Sequence, residues 1–245
     1  MLRALFGDPP RVDSGPLQDA FHAIHKYMNS LTLIPSDKQT PYERRFVILS
    51  QSLVRAIDEM EQSQYAAVRF GQNVKQRYVD QMSREEKDDY HRHLYFYRNA
   101  LIRLFAILDK LGYFMNERLA LQTERIKSRF SYFTVLRKMH EHRLYTDLEQ
   151  QLYELKMKYK DAVARLRNER NMEIHTINAD LLDDLMKAAE SKYGERVRID
   201  TDSIGSHIAD LEQGCEMTLR AVTIVFRYLI KHPAAAGSRP PHRQG

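Results

Sequence analysis

Apolar residues recur along this chain every three or four positions, with polar residues filling the intervals. That period belongs to helices that bury one face. A short helix is predicted from Leu17 to Leu31. Thr40, Pro41 and Glu43 read as an N-cap, a first-turn proline and the closing carboxylate of a capping box. The helix they open lines up Phe46, Leu49, Leu53, Ile57 and Met60 and is expected to reach about Val79. Ser83 to Glu86 forms a second capping box. Behind it Leu94, Tyr97, Leu101, Leu104, Leu108 and Leu111 share a face, with Gly112 as a local weak point. A further helix is predicted from about Glu124 to Leu144. Thr146 to Glu149 reads as a third capping box, followed by Leu148, Leu152, Leu155, Tyr159, Ala162 and Leu166. The last long helix spans about Ser206 to Lys231 and stops before Pro233.

No strand pattern competes, Val197-Arg198-Ile199 being too short to matter. Only 9 Gly and 8 Pro punctuate 245 residues, which favours long helices over a turn-rich sheet. The expected fold is therefore all-α, a bundle of long antiparallel helices with an N-terminal helical extension. The expected divisions are an irregular arm over 1–16, the extension over 17–82, the bundle over 83–232 and a disordered basic tail over 233–245. Met1 to Pro10 is interrupted too early by Gly7, Pro9 and Pro10 to be a signal peptide. The longest apolar run, Ala221 to Ile230, contains Arg227 and is about half the ~20 residues a membrane span needs. A single cysteine, Cys215, excludes an internal disulfide and reads as a structural thiol. A cytoplasmic protein with no membrane partner is expected.

Charge changes this picture little. A net charge of +5 permits a polyanionic partner without demanding one. Between Arg125 and Arg143 six cations face one internal acid, Glu141, with Phe130, Tyr132 and Phe133 interleaved. Such a segment either tracks single-stranded RNA or is a solvated helix face over core aromatics. The pairs His22/His25, His91/His93 and His140/His142 lack any metal-ligand motif, and no phosphate-binding glycine loop or nucleophile elbow is present. No metal and no cofactor is expected.

The candidate chemistry lies where the third apolar stripe is interrupted. Continued at the helical period, the row 148–166 next meets Arg170, then Ile174, Ile177, Leu181 and Leu185, with Glu173 close to the same face. A buried arginine is costly unless paired. Beside it run Asn168, Asn171, His175 and Asn178, a polar row unlike the usual Lys and Glu surface. Either the helix breaks near Asn171, or Arg170 and Glu173 form a structural ion pair, or these groups serve a ligand.

Arg170-Asn171-Met172-Glu173-Ile174-His175 resembles the arginine–histidine signature of the HEPN superfamily, in which a polar residue often follows the arginine. Arg137/His142 and Arg227/His232 share the spacing but not the Asn. Tyr97 to Leu101, Arg129 to Phe133 and Leu152 to Lys156 resemble segments of a bacterial HEPN subfamily, over roughly 84–232. The resemblance implies an RNA- or nucleotide-binding bundle, in some members a metal-independent endoribonuclease that leaves 2′,3′-cyclic phosphate ends. On that footing Arg170, Asn171 and His175 are the catalytic candidates. His175 would exchange protons, Arg170 would hold the phosphorane, and Asn171 would orient either. Arg98 is a candidate second phosphate ligand, and Asn99, Arg167, Asn168 and Asn178 are candidate RNA contacts. A homodimer is implied, with an antitoxin or nucleotidyltransferase partner in a toxin–antitoxin or defence setting. The competing reading is a non-catalytic interaction module in which Arg170–His175 is a structural polar cluster.

Overall fold

Where a side chain can satisfy the first free backbone N–H groups, a helix begins. Thr40 accepts from Glu43 N at 3.2 Å while the Glu43 carboxylate takes the Thr40 N–H at 2.7 Å, which closes the predicted box. The computed structural model describes residues 2–33, 40–175 and 203–233, and at 173–175 and 203 the backbone alone. Its helices are α1 (Leu2–Leu5), α2 (Gly15–Thr32), α3 (Pro41–Gly71), α4 (Arg84–Arg118), α5 (Tyr132–Glu141), α6 (Thr146–Lys158), α7 (Lys160–His175) and α8 (Ser203–Lys231). None of the described residues forms a strand; Tyr78 alone makes an isolated bridge. The all-α class is as predicted. Asn178, the continuation of the stripe through Ile177 to Leu185, Val197 to Ile199 and the tail from 234 lie outside the described residues.

The predicted stripes are the core. Phe46, Leu53, Ile57 and Met60 of α3 and Tyr97, Leu101, Leu104, Leu108 and Leu111 of α4 are all buried, in the most extensive helix pair. Leu49 and Leu94, of the same rows, are half-buried. α8 lies against α2, α3, α4, α6 and α7, so it is the central helix. Its Cys215 is 2% exposed, and burial holds the thiol well above its ordinary pKa. α2 and α3 share one continuous apolar cluster with the helices from 84 onward.

Several local expectations are corrected. The arm contains α1 and is tied to α3: Arg3 pairs with Glu61, Arg11 reaches Asp58 at 2.7 Å and Glu61 at 2.9 Å, and Asp8 accepts from Tyr65. α3 ends at Gly71 rather than near Val79. A Cβ there would meet His93 Nδ1 at 2.8 Å. Gly112 does not weaken α4, which continues to Arg118; it is the place where the Tyr132 backbone comes in, 2.7 Å from where a Cβ would sit. The helix expected over 124–144 is a 3-10 turn at Thr123–Arg125 and then α5. Asn116 takes the Thr123 N–H at 2.7 Å, Gln122 is left-handed, and Ser131 and Thr134 cap the new start reciprocally. Arg125, Lys127, Arg129 and Phe130 therefore leave the helical face assigned to them. The second capping box is half-made: Ser83 accepts from Glu86 N, but the Glu86 carboxylate goes to the N–H groups of Lys75 and Gln76. The third is absent. Left-handed Tyr145 is the N-cap, and Glu149 binds His140 instead.

Candidate functional site

α6 and α7 carry the third stripe with a break at Tyr159, whose φ of −107° and ψ of 16° interrupt the helix. Leu148, Leu152, Leu155, Tyr159, Ala162 and Leu166 are buried in register, so the next position on that face is Arg170, as the period predicts. Arg170 is half-buried, and its guanidinium lies over the Phe105 ring of α4, 5.0 Å from the centroid. Its Nε is out of solvent and has no hydrogen-bond partner among the described residues. Asp109, one turn beyond Phe105, accepts from the Tyr132 N–H and lies in the field of Arg170 and Arg167. Desolvation holds its carboxyl above the usual range although the residue keeps solvent contact, with that N–H and the two cations opposing.

Beside Arg170 a polar network joins α4, α7 and α8. The Tyr97 hydroxyl donates to Glu169, and burial with that carboxylate pushes its pKa up. His207 of α8 stacks on Tyr97 with centroids 5.5 Å apart and places Nε2 4.0 Å from Glu169. Arg165 grips Asp210 through Nε at 2.6 Å and Nη2 at 2.7 Å. His93, fully buried, donates Nδ1–H to Ala67 O at 2.8 Å, and its Nε2 has no partner among the described residues. Burial lowers its pKa. Sequence reasoning missed this network, whose members are far apart in the chain. The one available signal was the His and Tyr on otherwise apolar faces of α4.

The opposite side of α7 opens on a groove of about 850 Å³ between α5, α6 and α7. Arg167, Asn168 and Asn171 form one wall. Arg137 and His140 of α5, Lys156 of α6 and Lys160 at the start of α7 supply the others. Arg170 is turned away from it, toward α4. The structure therefore brings together three of the predicted site residues, Arg167, Asn168 and Asn171, and sets Arg170 on the neighbouring face. Arg98 lies two turns before Phe105 on α4, half-buried, with one terminal nitrogen out of solvent; Asn99 is also half-buried. α7 runs through His175, whose side chain lies outside the described residues, as does Asn178. Among the described residues no three His, Cys, Asp or Glu side chains gather as a metal site, and no helix is long and apolar enough to cross a membrane.

The family model for Cthe2314-like HEPN proteins matches residues 49–230. The chain belongs to the HEPN superfamily. That match begins inside α3, upstream of the segment where the signature residues suggested the likeness, and takes in α4 to α7 and nearly all of α8. As a HEPN bundle the chain falls among proteins of nucleotide- or RNA-related function. No curated protein and no solved structure matches it.

Proposed function

We propose that this HEPN protein binds RNA and cleaves it without a metal, with Arg170, Asn171 and His175 of α7 as its catalytic groups. The supporting observation is the wall that α7 presents: Arg167, Asn168 and Asn171 side by side on a cation-lined groove, in a helix that continues to His175. Phosphate contacts from arginine and lysine supply most of the affinity for a nucleic acid. In the reaction the RNA 2′-oxygen attacks the adjacent phosphorus and gives up its proton. The bond from phosphorus to the 5′-oxygen breaks, and that oxygen takes up a proton. His175 is the residue type suited to exchange those protons near neutral pH. The Arg170 fork stabilises the charge that builds on the phosphorane. Products carry 2′,3′-cyclic phosphate and 5′-hydroxyl ends. Assembly as a homodimer, and pairing with an antitoxin or nucleotidyltransferase, belong to the same proposal.

One observation favours a second reading. Arg170 faces Phe105 rather than the groove, as a structural cation of a non-catalytic interaction module would. Incubating the purified protein with mixed RNA in EDTA and analysing product ends separates the two. The first reading expects cyclic phosphate ends and a loss of at least ~10²-fold in His175→Ala, the scale of a general acid–base. RNA left intact by wild type, or cleaved equally by His175→Ala, would sink it.

A further inference from the structure

Several arginines elsewhere in the protein are neutralised by carboxylates. Arg3, Arg11, Arg103, Arg165 and Arg227 each hold a carboxylate. Arg137, Lys156, Lys160 and Arg167 make no ion pair among the described residues, and Glu141 is the one carboxylate among the groove's lining residues. Four positive charges left facing one cleft repel each other, a cost that a polyanion removes.

The groove also carries aromatic rings in an arrangement that charge alone does not explain. His140 of α5 lies flat on Tyr153 of α6, with centroids 4.8 Å apart and planes 6° from parallel. Glu149 fixes the imidazole through Nδ1 at 2.9 Å, yet the His140 side chain remains 56% exposed. The pile thus ends on an accessible ring. Lys156 Nζ sits 5.4 Å from the Tyr153 centroid, and the Arg167 guanidinium 5.9 Å from that of Phe133. Two of the groove's four cations thus sit over ring faces.

We infer that the groove binds single-stranded RNA, its phosphates along Arg137, Lys156, Lys160 and Arg167 and an unpaired base extending the His140–Tyr153 stack. The inference rests on the RNA-binding reading above and adds the strand state and the base platform. Base faces are available to a protein ring only where they are unpaired. A duplex could use the cations but not the rings, and so could an acidic peptide.

The test is fluorescence anisotropy of the full chain with a labelled single-stranded oligoadenylate and with a labelled RNA hairpin, across a range of salt. The single strand is expected to bind ~10-fold or more tightly than the hairpin. Four phosphate contacts give a log–log salt slope of about −3, at ~0.7 per phosphate on a single strand. Tyr153→Leu and His140→Ala should each weaken binding by ~10-fold and leave that slope in place. Arg137→Gln and Arg167→Gln should each reduce the slope by ~0.7. Melting curves check each fold, and exposed His140 keeps the platform testable if Tyr153→Leu unfolds. Equal binding of strand and hairpin, unmoved by either ring variant, overturns the inference while leaving RNA binding intact. Displacement of the RNA by polyglutamate equally from wild type and from the ring variants overturns it in favour of an acidic-peptide site. No binding to either RNA overturns it together with the reading beneath it.

Discussion

Arg170→Met asks whether the arginine on the apolar stripe serves the fold. Its Nε is out of solvent without a partner among the described residues, and a buried donor left unsatisfied costs about 1–3 kcal/mol. The guanidinium over Phe105 returns about 0.5–2 kcal/mol as a cation–π contact. The two nearly cancel, so the charge itself contributes little to stability. Methionine keeps an unbranched stem against the same ring and adds a sulfur–aromatic contact worth about 0.3–1.5 kcal/mol. The variant is therefore expected within about 1 kcal/mol of wild type, or above it. For a domain of this length that is a Tm change of no more than about 4 °C. Far-UV circular dichroism melts measure it, and RNA cleavage in EDTA is run on the same preparations, where activity should be lost. A destabilisation beyond about 3 kcal/mol is the signature of a broken buried ion pair and would refute the reasoning. Arg170 would then be structural, and the second reading would gain.

Three further outcomes follow from the packing. Gly112→Ala brings a Cβ to 2.7 Å from the Tyr132 Cα, which is backbone; the overpacking costs about 1–3 kcal/mol, more than the ~1 kcal/mol gained in helix propensity, so denaturant melts should show a net loss or at best parity. His93 has a lowered folded pKa, so the unfolded chain takes up its proton first on acidification. Its stability contribution is complete above its unfolded pKa of about 6.5 and declines as pH falls from there toward the folded value. His93→Gln should flatten that part of the stability–pH curve, and an unchanged slope would count against burial as the cause. Thr40→Ala removes the acceptor for Glu43 N and should lower stability by about 0.5–2 kcal/mol in urea titrations, with Thr40→Ser close to wild type.

Much of the helical order was legible because it depends on neighbours in sequence. The Thr40 cap and the row Phe46 to Met60 need only the period and a local hydrogen bond. Arg170 was placed on the buried side of α7 by counting from Leu148, and the break at Tyr159 did not upset the register. What stayed hidden depends on distant partners. The chain leaves the helical path after Arg118 because the Asn116 side chain captures the Thr123 N–H, and α5 can begin where it does because Gly112 admits the Tyr132 backbone. Glu149 looked like a capping carboxylate, but His140 took it. The basic segment from Arg125 to Arg143 was visible as composition, yet only Arg137 and His140 of its cations and histidines reach the groove, where Lys156 and Lys160 arrive from other helices. Tyr97, Glu169 and His207 meet across three helices, and no local pattern announces such a meeting.

The lone thiol of α8 makes the protein its own stopwatch. Cys215 sits in the helix that touches most of the others, almost sealed from solvent and held in its unreactive protonated form. A disulfide reagent can reach it only during moments when α8 has come away from its neighbours. If reclosing outruns modification, the observed labelling rate is the rate of a free thiol multiplied by the fraction of time spent open. A single spectrophotometric trace, with no engineered probe, would then read out how often the centre of the bundle breathes. Repeated in the presence of RNA, it would register whether occupying the groove quiets that motion.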